Sequence, residues 1–279
     1  MALKTGLILP PSGEIRLDLH FGDYLIAAEL PTPPPAFGNN NVLPGQYLGN
    51  DVYGDCAEAM ATRMQYVFDE QGGNPITVNT GSTLENYSAW TGFTETDPQT
   101  GGQWPTDPQT GEPNNPTDQG TTMEQVLDGW KSPGLIDATG KHHTIVGGVD
   151  LNPGDLKQLW LATYIFGSAG MAFNLPQSAM DAAQNGNQIW DVGGDETIIG
   201  GHAVPNFGRR PCTKCGPVQP FLLQAESWGL PVQITPRFYQ KFSAGGVIVF
   251  SEEMLKSGLS IIGLKAAQLI DDLHQVSLD

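Results

Sequence analysis

Basic residues are scarce in this chain. Thirteen Lys and Arg stand against thirty Asp and Glu, a net charge of −17 over 279 residues. A surface of that sign repels phosphate backbones and anionic headgroups, so nucleic acid and membrane surfaces are not the expected partners. Charge of either sign is sparse as well, 15% of residues against about 25% in an ordinary domain. No apolar run approaches the roughly 18 residues that a membrane span needs. The short apolar run at the start is broken by Pro10 and Pro11, too short for the core of a signal peptide. These absences point to a soluble chain made in the cytoplasm.

Cysteine is the next scarcity. Cys56, Cys212 and Cys215 are the complete set, and an odd, small number argues against a disulfide framework. The run Cys212-Thr213-Lys214-Cys215-Gly216 has the spacing of half a zinc site. Zinc takes four ligands and the chain offers no second pair, so a local disulfide or two thiols at a hairpin tip is the plainer expectation, a metal shared between chains the other. The pair His142-His143 reads as an exposed turn. No metal and no organic cofactor is expected.

Glycine and proline are abundant, 35 and 22 residues. Residues 1–45 are proline-rich and poor in periodicity, and Pro31-Thr32-Pro33-Pro34-Pro35 must be extended. They read as an arm wrapped over the body, with 24–30 as a docked element. Beyond them, Ala59, Met60, Arg63, Met64, Val67 and Phe68 fall at helical spacing and predict a helix over 56–69. Further helices are expected at 123–134, 155–166 and 260–276. Strands are expected at 144–150, 170–175, around His202, at 221–225 and at 247–250. Helices first and strands later argue for an α+β fold. Between them, 93–118 is a long polar loop in which Thr96-Asp97-Pro98-Gln99-Thr100-Gly101 recurs as Thr106-Asp107-Pro108-Gln109-Thr110-Gly111. Asp-Pro starts and Gly ends suit an ordered pair of turns.

Cys56 opens the first helix, where the positive end of the macrodipole favours a thiolate. A nucleophilic thiol needs a base, and the base an orienting group. His202, in Gly200-Gly201-His202-Ala203-Val204, follows 146 residues later, and Glu226-Ser227-Trp228-Gly229 comes after it. This order of motifs resembles the papain-like cysteine peptidases, whose separation of Cys from His runs to roughly 130–150 residues. The resemblance spans about 45–250. It implies Cys56 as nucleophile, His202 as base, Glu226 in the place of the orienting Asn, and Asn50, six positions before Cys56, in the place of the oxyanion-binding Gln. Gly120, in Asp118-Gln119-Gly120-Thr121-Thr122, matches the segment whose glycines line the substrate cleft, and Trp228 the indole that shields the His. The residues depart from the family at Asp55 and Glu58, acidic neighbours that oppose a thiolate.

The resemblance therefore implies a papain-like α+β fold. Residues 46–279 form the domain: a helical half, 46–140, carries Cys56 and the inserted loop 93–118, and a strand-rich half, 141–279, carries His202 and a C-terminal helix. It implies a thiol hydrolase cleaving peptide or isopeptide bonds through a Cys56-His202-Glu226 triad, with a protein or peptide as partner. The alternative is a catalytically degenerate papain-fold protein with a structural or binding role in a phage particle or at a cell surface, which would make it virion-associated; a cell-wall amidase is the third reading. An assembly partner could dock on the 93–118 loop or on the hairpin from Arg209 to Cys215, where Arg209, Arg210 and Lys214 cluster.

Overall fold

The computed structural model describes residues 3–26, 29–38, 42–109, 111, 113–212, 221–251 and 270–272. Helices α1 (Cys56–Gln71), α2 (Thr80–Thr91) and α3 (Met123–Lys131) come early, and α4 (Leu156–Phe166), α5 (Gln177–Gln184) and α6 (Pro236–Phe242) are interleaved with the strands. The strands are β1 (Phe37–Gly38), β2 (Leu135–Ile136), β3 (His142–His143), β4 (Ile145–Leu151), β5 (Ala169–Pro176), β6 (Ile189–Trp190), β7 (Ile198–Pro211), β8 (Phe221–Ser227), β9 (Leu230–Ile234) and β10 (Ser243–Ser251). The fold is α+β. The main sheet runs β4-β10-β5-β7-β8-β9-β6, with β1 added beside β7, and β2 pairs with β3 apart from it. Every pairing in the main sheet is antiparallel except β6 with β9.

Local chemistry sets the helix ends. Asn79 with Ser82 and Thr122 with Gln125 close reciprocal caps at the starts of α2 and α3, and Asp155 caps α4. Gly92 and Gly167 end α2 and α4 in the left-handed region, where the missing Cβ removes the steric cost. α2 has no strong apolar stripe: of its residues only Ser82, Thr83, Leu84, Asn86 and Tyr87 are buried. Its cap and its terminal glycine were the readable signals, and periodicity alone does not find it. The expected helix at 260–276 lies outside the described residues apart from a helical fragment at 270–272.

One core joins α1 to the sheet. Met60, Met64 and Phe68 of α1, Met171 and Phe173 of β5, Val204 of β7 and Val247 of β10 are all buried in it. The N-terminal arm belongs to the same cluster through Leu7, Ile15, Phe21 and Tyr24. Its proline run is held by Arg209, which donates to the carbonyls of Pro33 and Pro34. The guanidinium lies 4.5 Å from the Phe221 ring centre, 4.7 Å from Trp160 and 5.6 Å from Phe37. Arg209 is therefore built into the body. Cys212, at the end of β7, is disulfide-bonded; Lys214 and Cys215 lie outside the described residues. The repeats of the polar loop are ordered turns: Gly101 donates to the Asp97 carbonyl and Gly111 to that of Asp107, at 2.8 and 2.7 Å.

Arg209→Ala removes two carbonyl contacts and the aromatic cage together. It should cost about 1–3 kcal/mol and speed limited proteolysis within 29–36 several-fold. Unchanged cleavage there would show that the arm is held by something else.

Candidate functional site

The loop before α1 sets the position of Cys56. Leu48 at φ 60° and Gly49 at φ 101° turn the chain sharply. A Cβ at Gly49 would stand 2.5 Å from the Asp55 carboxylate, so the turn packs directly under the helix start. Cys56 then opens α1 with its Sγ against the edge of β7, where the Ala203 N–H donates to it at 3.4 Å. The Asn50 side-chain amide donates to the Tyr53 carbonyl at 3.3 Å and to the Lys4 carbonyl at 3.4 Å.

His202 is held from two sides. Its Nε2 and the Ser227 hydroxyl are 2.8 Å apart, and the Trp228 indole stacks on its ring at 4.4 Å and 19°. The indole is placed at a backbone cost. Trp228 and Gly229 form the two-residue turn between β8 and β9, with φ of 49° and 69°. Such a turn requires positive φ at both positions and favours Asn-Gly. A bulky residue in that region is strained, and here the strain coincides with the stack on His202. Nδ1 of His202 is buried without a hydrogen-bond partner. Cys56 and His202 share no hydrogen bond: the sulfur accepts from the neighbouring Ala203 N–H, and the imidazole meets Ser227.

Glu226 does not orient His202, contrary to the motif-based expectation. Along β8 successive side chains alternate between faces, so Glu226 and Ser227 point apart. Ser227 reaches His202, and Glu226 meets Arg63 of α1, Oε1 to Nε 3.2 Å, with both side chains almost fully buried. Glu226 also accepts from the backbone N–H groups of Val42 and Leu43, and Arg63 donates to the carbonyls of Ala59 and Gln46. Gly229 marks the turn, which makes Ser227 the last strand residue. That was the signal from which its role could have been read.

The electrostatics of the site are those of a dry interior. Burial pushes the Cys56 thiol up to about 12, with the Glu58 and Asp55 charges adding and the Ala203 amide opposing. Burial alone lowers His202 to about 3. Asp55, whose carboxyl oxygens have no hydrogen-bond partner, is raised well above the ordinary carboxylate range by burial and then by Glu58. Glu58 is raised to about 8 by burial, with the Asp118 charge adding. Thiol and imidazole are thus both neutral near pH 7.

The chain's own N-terminal segment covers the Cys56 side of this interior, while Trp190 and Trp228 flank His202. Residues 3–9 run extended between two walls, 120–121 on one side and 200–201 on the other. Leu7 donates to Gly201 at 3.1 Å, Thr121 to Gly6 at 2.9 Å and Ile8 to Thr121 at 2.8 Å. The ladder is antiparallel to Gly201 and parallel to Thr121. Trp228 Nε1 donates to the Lys4 carbonyl at 2.9 Å, and the Gly6 amide donates to Cys56. Gly120 and Trp228, expected to line the cleft, both touch this segment. Nothing in the sequence pattern singled out residues 3–9 for this position.

A second buried cluster was also missed. His143 was expected in an exposed turn with His142. It is fully buried in β3, with Nε2 3.1 Å from Asp137 and Nδ1 3.5 Å from Asp69. Among the described residues no group of three or more His, Cys, Asp or Glu is placed to hold a metal ion, and no helix is long and apolar enough to cross a membrane.

Two outcomes follow from this site. Glu226→Ala strands a buried guanidinium and should destabilise the chain by about 3–5 kcal/mol, whereas replacing both partners (Arg63→Met with Glu226→Leu) should recover most of that; denaturant unfolding measures both. A loss under about 1 kcal/mol for Glu226→Ala alone would remove the pair from its structural role. Glu58 holds its proton up to about 8 when folded and releases it near 4.5 when unfolded. Its contribution therefore erodes stability as pH rises from 4.5 through 8. Glu58→Gln should flatten that decline, by about 1.4 kcal/mol for each pH unit in the window. Parallel curves for parent and variant at pH 5 and pH 8 would contradict the assignment.

No family model and no curated protein sequence matches the chain. Solved structures do. Procathepsin B S9 from Trypanosoma congolense superposes with a TM-score of 0.58 at 10% identity, covering 89% of this chain and 86% of that one. Procathepsin L 3 of the Tenebrio molitor larval midgut gives 0.56 at 12%, covering 89% and 76%. A stem bromelain precursor gives 0.54 at 11%, covering 90% and 78%. At these identities the likeness is one of fold.

Proposed function

From a papain-like fold, we propose that the chain is a thiol hydrolase for peptide or isopeptide amides, closed in this state by its own N-terminal segment. The observation that carries the reading is the Cys56 thiol at the start of α1, packed against β7 one residue from His202, whose buried Nδ1 has no hydrogen-bond partner. Once the segment leaves, water enters, and the penalty that holds the thiol neutral falls. His202 Nδ1 then takes the Cys56 proton. The sulfur attacks the carbonyl carbon, the C–N bond breaks, and the proton passes from His202 to the leaving amine. Water, deprotonated by His202, releases the acyl group from sulfur. The Asn50 amide and the Cys56 backbone N–H are the donors for the oxyanion. Ser227 and Trp228 position the imidazole.

A second reading, a papain fold that binds without cleaving, is favoured by one observation: Asp55 and Glu58 are buried beside the thiol and oppose its ionisation.

Leu7→Asp puts a charge into a buried position of the segment and separates the readings. Cys56 in the parent should alkylate slowly with iodoacetamide, its rate still climbing with pH beyond pH 9, because the thiol titrates near 12. The variant should alkylate at least tenfold faster at pH 7 and hydrolyse a mixed peptide pool. Adding Cys56→Ala should abolish the hydrolysis. An alkylated, opened variant that cleaves nothing would establish the binding protein in place of the hydrolase.

A further inference from the structure

We propose that the groove over Cys56 is a glycine slot: it takes an extended peptide only where the residue above the thiol is glycine, with an apolar side chain next to it. This deepens the hydrolase reading, and rests on it, by naming the substrate class as glycyl peptides.

The argument is steric. Gly6 is the residue whose amide reaches Cys56. A Cβ built on it would stand 1.8 Å from the Gly54 carbonyl oxygen, 2.2 Å from its carbon and 2.5 Å from its Cα. All three are backbone atoms, so no side chain can swing away to make room. The opposite wall is as close, since a Cβ on Gly120 would stand 2.1 Å from the Gly6 oxygen. One residue on, a Cβ on Gly201 would stand 2.2 Å from the Leu7 oxygen. The peptide backbone thus lies directly on backbone at three points.

The width of the slot is fixed by a hydrogen-bonded bridge. Asp118 Oδ1 accepts from the Gly54 N–H at 2.9 Å and from the Tyr87 hydroxyl at 2.9 Å, and that hydroxyl in turn accepts from the Gly120 N–H at 2.9 Å. One carboxylate and one phenol therefore tie the Gly54 and Gly120 sides of the slot together. Tyr87 is fully buried and stacked on Phe93, so the phenol has no freedom to yield. Spreading the walls by the width of a methyl group would break this bridge. Next to Gly6, the Leu7 side chain enters the main core cluster, which supplies the apolar preference.

The test uses the full-length Leu7→Asp chain and reads protection of Cys56 from iodoacetamide, without turnover. A capped heptapeptide Leu-Lys-Thr-Gly-Leu-Ile-Leu competes in one arm, and the same peptide with alanine for glycine in the other. At a concentration where the glycine peptide slows alkylation tenfold, the alanine peptide should slow it less than twofold. Adding Tyr87→Phe, which cuts the bridge, should bring the alanine peptide to within threefold of the glycine peptide. Equal protection by both peptides in the Leu7→Asp chain, or none by the glycine peptide, would overturn the slot. Should Leu7→Asp fail to fold, Gly6→Ala in the otherwise unchanged chain decides: Cys56 should alkylate at least tenfold faster than in the parent, and a parental rate sinks the proposal. Because these arms read occupancy alone, a chain that binds glycyl peptide and never cleaves keeps the slot and loses the hydrolase. A chain that cleaves alanyl peptides as fast as glycyl ones does the reverse.

Discussion

The position of α1 against β8 is the constraint on which the site depends, and the buried Arg63–Glu226 pair maintains it. α1 carries the thiol, and β8 carries the hydroxyl and leads into the indole that hold the imidazole. Taking two charges out of water is costly, and their attraction repays it only when the remaining donors and acceptors are also satisfied. Here they are: Glu226 receives two backbone amides and Arg63 donates to two carbonyls. Three of these four partners, Val42, Leu43 and Gln46, come from the segment leading into the Asn50 loop. This ion pair therefore ties helix, strand and loop together beside the apolar core that α1 shares with the sheet.

Exclusion of water governs the chemistry of the site. A thiol and an imidazole in contact with solvent would exchange a proton readily at neutral pH. Enclosed, each keeps its neutral form, because the interior solvates neither thiolate nor imidazolium. The buried Asp55 and Glu58 act in the same direction. The N-terminal segment is held with hydrogen bonds from backbone to backbone, which titrate at no physiological pH.

Much of this was legible in the sequence because it depends on local order. Cys56 at a helix start, the strand around His202, the turn glycine after Trp228 and the α+β arrangement are all patterns of neighbouring residues. What was not legible depends on register and on distant pairing. The motif placed Glu226 beside His202. Strand alternation moves that position by one residue, to Ser227, and leaves Glu226 for a helix 163 positions away in sequence. α2 escaped because its buried side is largely Ser, Thr and Asn. His143 read as a turn residue because its partners, Asp69 and Asp137, sit on other elements. The N-terminal segment escaped because an extended strand of mixed polarity has no signature until its two neighbours are known.

The pairing of Leu7 with Gly201 also orders events in time. It joins residues 194 positions apart, and closing so long a loop is entropically costly until most of the intervening chain has condensed. Residues 3–9 therefore find their berth only once β7 is in place. Until the segment pairs there, the same strand that positions Cys56 leaves the thiol's surroundings open to solvent.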